Sequence, residues 1–362
     1  MKAEQLALLR ELVELRPVSA DPTAVDKVQE RIRRFLEGHG VFCCMEQVED
    51  RHILFASTTG NKMPDILFNP HVDVVPAIDP ETQYHLDVRE NGRIYGRGTA
   101  DDLGNAVCVA QALTELLGRA DAGAVFTGNE ELGGSTSDAM IKRGYGAKKM
   151  ILVVDGCRGP ECVIHAHKGI LILNLIARGT AGHSARPWLA DNAVQKLLHG
   201  FGRLSERWGE NPLSEDDWRN SMAPCIISGG HAENQIPDAA SMVVNFRITG
   251  AEDLMSIPRM VADLTGLEVS VRRSSLPFVC DPDSPPLRLL AGVLRDLFGK
   301  EPSFQRMAGA TDAHHWQKLG VPTAIMGCSG AGAHSASEYL EGDAIDRMLP
   351  VLVHFAVALQ HA

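Results

Sequence analysis

The stretch Asn69-Pro70-His71-Val72-Asp73-Val74-Val75-Pro76 follows the apolar run Ile66-Leu67-Phe68, which reads as a buried strand. That strand would end by presenting an imidazole and, two residues on, a carboxylate. Ligands of α/β proteins commonly sit where strands run out into loops. A neutral imidazole ligates zinc well, and a carboxylate behind it can take the other ring N–H. Taken alone, His71 also reads as a satisfied loop histidine and Asp73 as a turn former. Further stretches supply candidates of the same kind. In Gly96-Arg97-Gly98-Thr99-Ala100-Asp101-Asp102-Leu103-Gly104, Asp101 stands just before a helical pattern. It reads either as a helix cap or as a carboxylate whose two oxygens bridge two cations. Glu130 and Glu131, in Gly128-Asn129-Glu130-Glu131-Leu132-Gly133-Gly134, are either solvated acids opening a helix or a metal-site acid beside a general base. Asp155 closes the run Ile151-Leu152-Val153-Val154, and His334 lies in Gly332-Ala333-His334-Ser335-Ala336-Ser337-Glu338-Tyr339. A mixed nitrogen and oxygen donor set without thiolate favours Zn²⁺, with Mn²⁺ or Co²⁺ as alternatives, in an open catalytic site.

The elements that must position these residues alternate. Strand patterns at 65–69, 123–127 and 149–154 frame an alanine- and leucine-rich helix at 103–119. This predicts an α/β domain, a mixed and mostly parallel sheet flanked by helices. The middle third differs. Strand patterns at 168–178, 224–228, 240–248 and 268–274 and helical patterns at 191–208 and 251–265 give the order βαββαβ. That is the ferredoxin-like order of an α+β domain. The chain is therefore expected to divide into a catalytic domain, residues 1–166 and 276–362, and an inserted domain, residues 167–275.

The formal net charge of -11 argues against nucleic acid or an anionic membrane as partner. No apolar run approaches a membrane span. The first residues read as a charged amphipathic helix rather than a signal peptide. The 8 cysteines show no CxxC pair and read as reduced thiols, which makes the cytoplasm the expected compartment.

With these motifs in this order, the chain resembles the two-zinc hydrolases that include carboxypeptidase G, aminoacylase, succinyl-diaminopimelate desuccinylase, acetylornithine deacetylase and cytosolic dipeptidases. The matching motifs run from His71 to Tyr339. The resemblance implies two Zn²⁺ per chain. His71, Asp101 and Asp155 would hold one ion, and Asp101, Glu131 and His334 the other. Glu130 would be the general base and Asp73 the partner of His71. The peptide bond after Asp101 would be cis. Gly182-His183-Ser184-Ala185-Arg186-Pro187 resembles the histidine motif of the family's lid domain, so His183 would stabilise an oxyanion, reaching into a partner subunit. Asn234 and Arg247 match positions that hold the substrate, and an arginine fork suits a carboxylate. Gly309-Ala310-Thr311-Asp312-Ala313 matches a further motif to which no catalytic role is attached. A homodimer through the inserted domain is implied as well.

Two positions depart from the family's usual residues, Pro70 before His71 and Leu103 after the aspartate pair, and neither is a ligand. An aspartate at 155 resembles the aminopeptidases and dipeptidases more than the deacylases. The expectation is a cytoplasmic exopeptidase for small peptides bearing a free carboxylate. The alternatives are an N-acyl amino acid deacylase and a catalytically silent metal-binding module. Gly96-x-Gly98 lacks the third glycine of a dinucleotide fingerprint, which sets an oxidoreductase aside.

Overall fold

A computed structural model describes residues 1–361; Ala362, the last residue of the expected catalytic segment, lies outside them. The chain forms two compact units. The first comprises Met1–His165, Val279–Gln305 and Thr311–Ala362, and the second Ala166–Phe278 with Arg306–Ala310.

In the first unit a mixed sheet places Phe42–Val48, Arg51–Ser57, Ala122–Phe126, Ile66–Asn69, Met150–Val154, Thr323–Met326 and Cys162–His167 side by side in that order. Four central neighbours, from Ala122–Phe126 to Thr323–Met326, are mutually parallel, and the strands outside them are antiparallel. The parallel strands are buried on both faces. This is why they read as unbroken apolar runs without alternation. The fold class expected from the sequence is present here. Cys162–His167 carries histidines inside a buried strand, and its periodicity does not announce it.

Helix Leu103–Leu116 is buried almost all round, packed between this sheet and the terminal helix Ala344–Gln360. It ends at Leu116, three residues before the expected Arg119, because Leu117 leaves the helical region of φ/ψ space. Helix Pro22–Gly38 starts where Asp21 accepts the Ala24 N–H at 3.1 Å and Pro22 takes the first turn. It lays Val25, Val28, Ile32 and Leu36 on the core.

A small antiparallel sheet orders Gly330–Ala331, Tyr339–Glu341, Arg93–Tyr95 and Asp87–Val88. Its first two strands form the hairpin whose loop carries His334, and its third leads directly into Gly96–Asp101.

The second unit has an antiparallel sheet in the order Ser221–Gly229, Ala239–Ile248, Gly169–Arg178, Glu268–Ser275. Helices Ala193–Trp208 and Asp253–Thr265 complete a βαββαβ succession. Alternate residues of the two inner strands, among them Leu171, Leu173, Leu175, Val244 and Phe246, meet Leu197, Leu204, Ile257 and Val261 of the helices in one core. Arg306–Ala310, expected in the catalytic segment, groups with this unit instead. The physical reason is hydrogen bonding. The Lys168 N–H donates to the Met307 carbonyl at 3.2 Å, and the Ala308 N–H to the Glu215 carboxylate at 3.0 Å.

Leu113 is fully buried in helix Leu103–Leu116 and remote from the polar strand ends. Leu113→Ala should cost about 2–5 kcal/mol of stability. An unchanged urea midpoint would contradict this account of the core.

Candidate metal centre

Three of the four parallel strands deliver candidate ligands shortly beyond their C-terminal ends. Ile66–Asn69 leads to His71, Ala122–Phe126 to Glu130 and Glu131, and Met150–Val154 to Asp155, whereas His334 comes from the hairpin loop between Gly330–Ala331 and Tyr339–Glu341. Neighbouring strands lie about 4.8 Å apart, so their ends hold these groups along one edge.

His71 is buried, and its Nε2 lies 3.0 Å from Asp101 Oδ1 and 4.0 Å from Asp155 Oδ1. His334 Nε2 lies 3.3 Å from Asp101 Oδ2 and 2.9 Å from Glu131 Oε1. The two oxygens of Asp101 therefore face two different groups. His71, Asp101, Asp102 and Asp155 form one set, and Asp101, Glu131 and His334 the other, with donor atoms in each set within 4.8 Å of one another. His334 holds a backbone φ of 64°, a left-handed conformation uncommon outside glycine. Such a conformation persists only where its surroundings enforce it, and it occurs often at functional sites.

Asp102 sits in the first set, but its oxygens are already engaged. It accepts the His71 N–H at 3.0 Å and Asn105 Nδ2–H at 2.5 Å. The Asp101–Asp102 peptide bond is cis. Asp73 departs from the expected pairing. His71 Nδ1 approaches the Asp73 main-chain carbonyl at 2.9 Å, whereas the nearest Asp73 carboxylate oxygen is 3.5 Å away. That carboxylate instead accepts the Glu130 N–H at 3.1 Å and the Glu131 N–H at 3.4 Å. One residue thus orients the imidazole with its backbone and the acid pair with its side chain, because the turn at residues 71–73 folds back beside residue 130.

Electrostatics follow from crowding. Burial pushes the Asp155 carboxyl up to about 7, helped by Asp101, Asp312 and Glu131 and opposed by His71. Burial, again opposed by His71, holds Glu130 well above the ordinary carboxylate range, with Asp155, Asp312 and Glu131 adding to the rise. Burial also disfavours charge on His71, but Asp102, Asp101, Asp73 and Asp155 outweigh it and raise its pKa well above normal. Hydrogen bonds to Asp101 and Glu131 raise His334 to about 10. Asp101 goes the other way, since its bonds to His334 and His71 outweigh burial and lower it. A donor set of oxygens and imidazole nitrogens, too anionic to be comfortable without cations, fits a pair of divalent ions.

Glu130 is half-buried, and its carboxylate makes no hydrogen bond among the described residues. His183, Asn234 and Arg247 all belong to the second unit. His183 pairs with Gln235 across two short strands, next to Asn234. The Ala185 N–H donates to His183 Nδ1 at 3.1 Å, which in the neutral ring leaves the proton on Nε2. Arg247 is half-buried on strand Ala239–Ile248 without an ion pair among the described residues, and burial and Arg273 lower its pKa.

Several residues that hold the centre together carry no metal-ligand pattern in the sequence. Glu338 is buried and accepts the Ala100 N–H at 3.0 Å and the Asp101 N–H at 3.1 Å. Its counter-charge is Arg97, equally buried, at 2.6 Å. Asn69 Oδ1 accepts the Trp316 indole N–H at 2.7 Å. An acid four residues after the motif histidine and an asparagine closing an apolar strand were the available signals.

The sequence pattern of peptidase family M20/M25/M40 matches residues 67–358. The chain belongs to that family. Among relatives, a probable carboxypeptidase of Aspergillus clavatus is 30% identical over 220 residues, covering 55% of this chain and 52% of that protein. A probable succinyl-diaminopimelate desuccinylase of Staphylococcus aureus is 25% identical over 389 residues, covering 94% of this chain and 93% of that protein. The match thus spans about half of the first relative and nearly all of the second. Among solved structures, an M20-family metallo-carboxypeptidase from Sulfolobus solfataricus superposes with a TM-score of 0.82 at 17% identity, covering 100% of both chains. A di-peptidase from Saccharomyces cerevisiae gives 0.76 at 16% identity, covering 99% of this chain and 96% of that one. These structures share the fold of this M20-family chain.

Two outcomes follow from the geometry. Arg97→Met leaves Glu338 buried without its counter-charge and should cost about 3–5 kcal/mol, read as a lowered denaturation midpoint. Asp155 and His334 both have folded pKa values above their unfolded ones, at about 7 and about 10. Groups raised in this way stabilise fully below their unfolded pKa and lose that stabilisation as pH rises through the folded value. The chelated protein should therefore melt at lower temperature at pH 8 than at pH 6. A chelated protein whose melting temperature rises across that interval would refute the assignment.

Proposed function

We propose that this M20-family protein is a metal-dependent amide hydrolase, an exopeptidase of dipeptidase or aminopeptidase type, acting on small peptides with a free carboxylate. The observation that carries the reading is Asp101, whose two oxygens face two separate ligand groups with Glu130 beside them. His71, Asp101 and Asp155 would hold one ion, and Asp101, Glu131 and His334 the other. A bound pair of Zn²⁺ ions, or Mn²⁺ or Co²⁺, supplies Lewis acidity to a water and to the substrate carbonyl.

The chain's own groups do the rest. Glu130 accepts the proton of the attacking water and returns it to the leaving amine. Its raised pKa suits both directions of that transfer. Asp73 fixes the backbone of the Glu130–Glu131 turn. His183, with its proton on Nε2, donates to the oxygen that gains charge as the carbonyl is attacked. Arg247, without an acidic partner among the described residues, takes the substrate carboxylate, and Asn234 adds a polar contact beside His183.

In this reading the second unit is a lid and the surface of a homodimer. Its strand Ser221–Gly229 lies at the edge of the sheet and exposes Ile226 and Ile227, the form of edge that recruits another strand. No helix of the described residues is long and apolar enough to cross a membrane, and all eight cysteines are free thiols, which supports a reducing, cytoplasmic setting.

N-acyl amino acid deacylation is the second reading, favoured by the desuccinylase relative that aligns along nearly the whole chain. A silent metal-binding module is the third, and retention of Glu130 argues against it.

Glu130→Gln should lower turnover by at least about a hundredfold while two metal ions remain bound per chain. The assay is amine release from dipeptides, tripeptides and N-acetyl amino acids. Near-normal turnover by Glu130→Gln would remove Glu130 from the mechanism, and cleavage of N-acyl substrates alone would select the deacylase reading.

A further inference from the structure

We propose that Asp312 is a positioning residue whose buried carboxylate sets the Glu130–Glu131 turn against the His71 turn, and with it the spacing of the two ligand groups. The inference rests on the two-metal reading above.

Asp312 is 2% exposed and makes no contact with a ligand side chain through a hydrogen bond. Its Oδ2 accepts the hydroxyl protons of Thr127 and Ser137, each at 2.8 Å. These two residues bracket the acid pair, Thr127 on the stretch that leads from strand Ala122–Phe126 into the turn and Ser137 in the first turn of the helix Ser135–Lys142 that follows it. Thr127 is also bound to the histidine segment. It bridges His71 in parallel register, its N–H donates to the Pro70 carbonyl at 3.0 Å, and its carbonyl accepts the Val72 N–H at 2.8 Å. A single carboxylate oxygen is therefore one hydrogen bond away from both halves of the centre.

The other oxygen, Oδ1, is buried and has no hydrogen-bond partner. It lies against Gly134, where an added Cβ would fall 1.9 Å from it. The backbone of the turn thus rests on the carboxylate itself, and glycine with its φ of 68° is the residue that permits the approach. The helix that follows, Ala313–Trp316, extends the support. His315 Nε2 lies 2.9 Å from the Gly133 carbonyl, and Trp316 holds Asn69 at the end of the central strand. Burying a carboxylate with one oxygen unsatisfied is costly. A neutral residue would fill the space, but it would not hold two hydroxyl donors and one backbone turn at fixed separation.

The test uses variants that remove the donors and keep the volume. Thr127→Val and Ser137→Ala each delete one hydroxyl, and Thr127→Ser keeps it. Leu113→Ala serves as a control of lowered stability elsewhere in the same unit. The readouts are Zn²⁺ affinity by competition with a chelating dye, the visible spectrum of the Co²⁺-loaded protein, and kcat separately from KM. The Thr127→Val/Ser137→Ala protein should bind the weaker of its two ions about 10–100-fold less tightly. It should show an altered Co²⁺ spectrum and lose kcat with little change in KM. Thr127→Ser should restore all three, and Leu113→Ala should leave affinity and spectrum as in the wild type. Wild-type affinity and spectrum in the double variant would overturn the proposal, and so would the same losses in Leu113→Ala. A wild-type protein that binds two ions yet cleaves no substrate would refute the hydrolase reading alone, because affinity and spectrum still decide the role of Asp312.

Discussion

Negative charge gathered at one edge of a low-dielectric sheet is the constraint on which this structure depends. Asp101, Glu130, Glu131 and Asp155 converge at partly or fully buried positions, and the imidazoles of His71 and His334 face them. Like charges at such distances cannot all stay ionised without cations. The shifts record the conflict: Asp155 and Glu130 move up, and His71 and His334 are drawn towards protonation. Divalent ions resolve it by replacing protons, so metal affinity and proton affinity compete for the same atoms.

Convergence of this kind needs a scaffold that does not yield. Four adjacent parallel strands supply it, since each ends at the same edge and each is locked on both sides by a ladder. Around that edge every flexible segment is tied from beneath. Glu338 holds the backbone of Asp101 and is itself neutralised by Arg97. Asp73 holds the acid pair. The small hairpin sheet brings the His334 loop beside the strand that leads to Asp101. Polar groups behind the candidate ligands orient them, as a metal site requires.

The second unit is built on another logic. Its sheet buries one face under two helices and leaves the other half-exposed. Arg247 and Asn245 lie on that half-exposed face. Arg247 and the acidic ligand cluster thus belong to different compact units, each with a core cluster of its own. That separation allows the binding surface to vary while the metal centre stays fixed.

The fold class was legible in the sequence, and His71 and Asp155 stood out as candidates because each closes or follows an apolar run at a strand end, whereas Asp101 and His334 were picked out through the resemblance to the family. Period and length marked the helices and the buried strands, and the βαββαβ order of the middle third could be written down directly. What sequence could not determine was which oxygen or nitrogen each polar group would meet. Asp73 lies two residues from His71, yet its carboxylate serves residues 130 and 131. Glu338 serves Asp101 across more than two hundred residues, and Asp312 serves Thr127 at a similar separation. The assignment of Arg306–Ala310 to the second unit depends on hydrogen bonds to Lys168 and Glu215. Residue type and local period determine which groups are available at a strand end. Only the packed tertiary structure decides their partners, because hydrogen-bond geometry is set by distances in space and leaves no period in the chain.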